Sequence, residues 1–130
     1  MALDVDKELK IYFIIGVIVL LIYGLWLFIS PESYWALTGA PYFSPTTARI
    51  IGAIYIAWAI IVIMLYKEID NWEKIESWML FAVLSNLLTL IASIISLVVY
   101  NIPLGSGIIG MILNIFFVIV GIHIIMQKRK

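Results

Sequence analysis

From Ser77 to Gln127 the chain runs 51 residues without an Asp, Glu, Lys or Arg, and Ile11–Pro31 and Ile50–Tyr66 are shorter stretches of the same kind. Roughly 20 consecutive apolar residues suffice to cross a bilayer as a helix. Every backbone polar group in hydrocarbon must be satisfied within the segment, which leaves helices as the economical solution. The expected fold class is therefore all-α integral membrane: a four-transmembrane-helix antiparallel bundle in a single domain, residues 1–130.

Composition supports the class and narrows function. Charged residues make up 12% and hydrophobic residues 65%, against about a quarter and about half in ordinary globular domains. Formal net charge is zero, so no basic field points to nucleic acid. The absence of cysteine excludes disulfides, thiol nucleophiles and thiolate metal sites within the chain. Ile occurs 27 times against 16 for Leu, a bias that suits a prokaryotic source. The first apolar stretch runs about 20 residues, beyond the roughly 7–15 of a signal-peptide core, and is expected to be a retained helix.

Local signals mark the spans at about 9–29, 45–66, 74–100 and 106–127. Ser30-Pro31-Glu32 ends the first span and opens a short interfacial helix to Leu37, stopped at Gly39, because proline suits the first helical position and disfavours the helix before it. Ser44-Pro45 repeats the start signal for the second span. Asp70-Asn71-Trp72-Glu73 has capping-box spacing, a turn at Asn101–Gly105 follows the third span, and Ser106 is expected to cap the fourth. Trp26 and Tyr100 at one boundary, with Tyr12, Tyr66 and Trp78 at the other, form plausible aromatic belts. Lys7, Lys10, Lys67, Lys74, Lys128, Arg129 and Lys130 fall on one side of this topology and only Arg49 on the other. By the positive-inside rule the protein is expected in the cell membrane, multi-pass, with both termini cytoplasmic.

Polar residues inside the spans are few and patterned. Asn86, Thr89, Ser93 and Ser96 share one face of the third span, and Gly107, Gly110, Asn114 and Gly121 share one face of the fourth. Small residues and cross-helix hydrogen bonds drive helix association in lipid, so a packing seam is the first explanation. A polar lining for a small ligand such as a quinone, sterol or lipid headgroup is the alternative. Arg49 and Glu32, lone charges of the outer side, suit a mutual pair or contact with lipid or an anionic ligand. Tyr55 and Trp58 fall mid-span, where a bundle contact or a ligand contact would use their rings. His123 is the sole histidine, off the polar seam and without a carboxylate nearby in sequence; alone it makes no metal or haem site. No catalytic, cofactor-binding or metal-binding residues are expected.

Pro41 to Ile61, with Ala48, Arg49, Gly52 and Ala53 forming an Ala-Arg-x-x-Gly-Ala run after an aromatic and proline-bearing loop, resembles the start of the second helix in small DoxX-like four-helix membrane proteins. The resemblance implies a four-helix membrane fold. It also implies a place near quinone-coupled oxidation or respiratory and oxidative-stress proteins, with which some members of that group are linked.

None of the spans carries an ionisable acid or base at its centre, whereas pumps, proton relays and voltage sensors depend on such groups. An autonomous enzyme or pump is therefore not expected. The leading expectation is a non-catalytic accessory or structural subunit of a larger membrane complex, such as an energy-converting oxidoreductase, acting by helix packing beside membrane lipids and other subunits. The alternative is a self-contained quinone- or lipid-binding protein, built on the seam with Arg49 at its mouth. A small homo-oligomeric channel ranks third.

Overall fold

A computed structural model describes residues 4–39, 44–100 and 107–130. It contains five helices in chain order among them: α1 (Val5–Ile29), α2 (Pro31–Thr38), α3 (Pro45–Tyr66), α4 (Trp72–Tyr100) and α5 (Ile108–Lys128). α1, α3, α4 and α5 are long and apolar enough to cross a membrane, and the protein is a multi-pass helical bundle. The turn at Asn101–Gly105, the Ser106 cap and the Tyr100 side chain lie outside the described residues.

The helix ends follow the local chemistry in most places. Asp4 caps α1 by accepting from the Asp6 amide, and Ser44 caps α3 by accepting from the Thr47 amide with Pro45 behind it. These bonds satisfy amides that the first turn leaves unpaired. Ser30 precedes α2, but its hydroxyl donates to Ser33 Oγ at 2.9 Å and caps no amide. Gly39 closes α2 with φ 65°, the left-handed conformation that glycine adopts without penalty. Asp70 was expected to open α4; its carboxylate instead faces Lys10 Nζ at 3.8 Å, and α4 begins at Trp72.

The four long helices form two antiparallel pairs. α1 packs along α3, α4 packs along α5, and the pairs meet through α1 and α5. α3 and α4 do not pack along one another; their side chains meet in the core at the terminal end, and the Trp58 and Phe81 rings meet edge to face at 5.4 Å. Outward faces carry exposed Ile18, Ile22, Ile60, Leu84 and Ile119, the surface that hydrocarbon covers in a membrane.

Close approach between α1 and α3 comes from glycine. A Cβ built on Gly52 would lie 2.7 Å from the Gly24 carbonyl oxygen and 2.7 Å from the Phe28 amide nitrogen. Ala48 and Ala59 are buried on the same side of α3. Helices in lipid gain little by hiding apolar surface from one another, so backbone contact of this kind supplies the dispersion energy that holds a pair together.

The bundle is dry and tight at the end that bears the termini. Leu9, Phe13, Ile75, Met79 and Ile124 pack there with almost no exposure. Around that end Asp6 pairs with Lys128, Glu76 with Arg129, and Glu68 with Lys74 at 2.9 Å. Toward the α2 end the two pairs separate.

Candidate functional site

The separation leaves a cavity of about 290 Å³ inside the bundle, reached by residues from all five helices. Its floor is a cross-helix contact: Tyr12 donates its hydroxyl to the Phe117 carbonyl at 3.2 Å, and the two rings sit edge to face at 5.2 Å. Tyr12 was expected in an interfacial belt; it is buried in the core instead, with its polar end satisfied by that carbonyl. Trp78, expected in the same belt, also turns inward and lines the cavity beside Phe81.

One wall is aromatic. Tyr23 of α1, Tyr34 of α2, and Tyr55 and Trp58 of α3 all face the space. Trp58 and Tyr55 lie 5.8 Å apart, and Tyr34 meets the Tyr23 ring at 6.2 Å. α2 is held over this wall because Trp26 Nε1 donates to Ser33 Oγ at 2.7 Å and the Trp26 ring stands edge-on to Tyr34 at 5.4 Å. Burial pushes the Tyr34 phenol above its ordinary pKa.

The other wall is polar. Ser85, Asn86, Thr89 and Ser93 of α4 line it, with Gly107, Gly110 and Asn114 across from them. The structure thus brings both spans' polar faces to one space, but among the described residues the expected bonds between them do not form. Asn86 Nδ2 donates to the Ala82 carbonyl at 2.7 Å, Thr89 to Ser85 O at 2.8 Å and Ser93 to Thr89 O at 2.8 Å. Both hydroxyl protons and one of the two Asn86 amide protons go to their own helix, a local satisfaction open to Ser, Thr and Asn. Ser96 follows the same habit, donating to Ala92 O, and lies off the cavity.

The glycines of α5 divide. A Cβ on Gly121 would meet Val83 Cγ2 at 2.5 Å and Tyr12 Oη at 3.0 Å, so this residue does permit close helix approach. Gly107 and Gly110 have nothing within 4 Å of such a Cβ. They widen the cavity. The Asn114 side chain reaches this space and has no hydrogen-bond partner among the described residues.

Arg49 and Glu32 are not part of the lining. Arg49 Nη2 lies 3.4 Å from Glu32 Oε1, tying α3 to α2 on the surface. Among the described residues no side chain that lines the cavity carries a formal charge.

A second polar site sits at the opposite end. His123 Nε2 lies 3.4 Å from Glu8 Oε2, an oxygen that is sealed from solvent and accepts no hydrogen bond. Sequence spacing placed no carboxylate near His123; the antiparallel contact of α1 and α5 supplies one. Among the described residues no group of three or more His, Cys, Asp or Glu could hold a metal ion.

Comparison of the chain with protein-family models, with curated proteins and with solved structures finds no match.

Proposed function

We propose that this protein is a binding protein of the cell membrane that holds one lipid-soluble ligand in the cavity between its helix pairs. The observation that carries this reading is the cavity of about 290 Å³, at the lower edge of typical ligand pockets (roughly 300–1,000 Å³), with an aromatic wall facing a polar one. Open space beside polar groups is costly to leave unfilled in hydrocarbon, since amides and hydroxyls there need partners. A ligand carrying a ring or isoprenoid body and a polar end supplies both kinds of contact. Quinones and neutral lipids belong to that class.

The amides, hydroxyls and phenols of the lining suit holding and orienting a ligand, so retention of the ligand is the proposed activity. The DoxX-like run at Ala48, Arg49, Gly52 and Ala53 fits a small carrier of this kind. We place both termini in the cytoplasm on the seven-to-one distribution of Lys and Arg, so that the cavity occupies the outer half of the membrane. Membership of a larger complex is compatible with this role, with the bound ligand as what the subunit contributes.

Native mass spectrometry after gentle detergent extraction tests the proposal. The wild-type chain should retain a single lipid-sized mass, and Gly110→Leu, whose side chain enters open space, should lose it while remaining folded. A wild-type chain that carries no small molecule under those conditions, whether alone or together with other polypeptides, would contradict it.

A further inference from the structure

The polar wall has a directional character. A carbonyl oxygen can only accept, so where Ser85, Thr89 and Ser93 lie within 3.1 Å of their own helix's carbonyls the hydroxyl protons are committed to those bonds. What these side chains present to the cavity is lone pairs. Asn86 is not of this kind: its Nδ2 gives one of two protons to the Ala82 carbonyl, so the amide keeps a proton to donate as well as an oxygen to accept. The Ser85, Thr89 and Ser93 hydroxyls thus give α4 a strip of hydrogen-bond acceptors.

Opposite stand groups with protons to give. The Trp58 indole nitrogen, the Tyr55 and Tyr23 phenols and the Asn114 amide have no hydrogen-bond partner among the described residues. A ketone, ester or ether would satisfy these donors and leave the α4 strip facing bare oxygen. A hydroxyl satisfies both walls, since it donates from its proton and accepts at its lone pairs. A carboxylate or phosphate is disfavoured, because no cation among the described residues lines the space and an unpaired charge in hydrocarbon is expensive.

We infer that the cavity selects a neutral lipid-soluble alcohol, whose hydroxyl donates to the Thr89–Ser93 acceptor strip of α4. This rests on the proposed binding role and narrows it to a ligand class. The body of the alcohol could be an isoprenoid chain or a flat ring, and the hydroxyl is the shared chemistry.

Calorimetric titration of the purified protein in detergent with two matched pairs tests it: farnesol against farnesyl methyl ether, and 2-naphthol against 2-methoxynaphthalene. Methylation removes the donor and keeps the body. In at least one pair the alcohol should bind about tenfold more tightly than its ether, the upper range for one hydrogen bond. Whichever pair shows the preference identifies the chain or the ring as the body. In the double variant Thr89→Val, Ser93→Ala the ratio should fall to about one, and if that variant does not fold the wild-type ratio decides alone. Equal binding of alcohol and ether in both pairs overturns this inference and leaves the binding role standing. Binding of neither alcohol nor ether overturns both.

Discussion

Gly24 and Gly52 bring α1 and α3 into backbone contact, with the Gly24 carbonyl oxygen 2.7 Å from where a Cβ on Gly52 would stand. Both obstacles at that distance, the Gly24 oxygen and the Phe28 nitrogen, are main-chain atoms. No rotamer change relieves them, so the helices themselves would have to part.

Gly52→Ala should therefore destabilise the bundle by about 1–3 kcal/mol, the usual cost of overpacking. Gly110→Ala should change stability little or raise it, because its Cβ meets nothing within 4 Å and alanine is the better helix former. Thermal unfolding of the two variants side by side in the same detergent checks the contrast.

Tyr12→Phe removes the hydroxyl given to the Phe117 carbonyl and keeps the ring contact. The expected cost is about 1 kcal/mol, the typical net worth of a buried hydrogen bond. Because this contact floors the cavity, the same variant should also weaken retention of the bound lipid. Unfolding curves and retained ligand mass, measured on one preparation, check both effects.

The ion pairs at the terminal end should matter less than their number suggests. Arg129 and Glu76 are 54% and 30% exposed in their side chains, and pairs open to water contribute about 0–1 kcal/mol. Arg129→Gln is expected to shift the unfolding midpoint only slightly, with the small difference vanishing at high salt. The dry packing of Ile75, Met79 and Ile124 holds this end; Met79→Ala should cost about 2–5 kcal/mol. Comparative unfolding at low and high ionic strength distinguishes the two contributions.

The spans, the short helix after the first of them and the hairpin-like pairing of α4 with α5 were legible because they depend on local signals: charge-free runs, Ser-Pro starts and a glycine stop. The contact between α1 and α3 was not. Gly24 and Gly52 are unremarkable in spacing when each helix is read alone, although Ala48 and Gly52 stand four apart in the small-residue pattern that lipid-embedded helices favour. The polar faces of α4 and α5 were legible as faces, but a packing seam and a cavity wall need the same residues in sequence. What separates the two is the open volume at Gly107 and Gly110, which depends on how far apart α1, α3, α4 and α5 stand. Likewise Glu8 meets His123 only through the three-dimensional approach of α1 and α5.

The open cavity is most directly tested with nitroxide labels, which the cysteine-free sequence admits at single introduced positions. Gly110→Cys and Gly121→Cys would each be labelled and their electron paramagnetic resonance spectra recorded in lipid nanodiscs. A mobile label at 110, where nothing crowds the Cβ, beside an immobilised one at 121, where Val83 stands 2.5 Å away, is the expected result. Equally immobilised spectra at both positions would mean that the helix pairs close on one another, and the cavity account would fall.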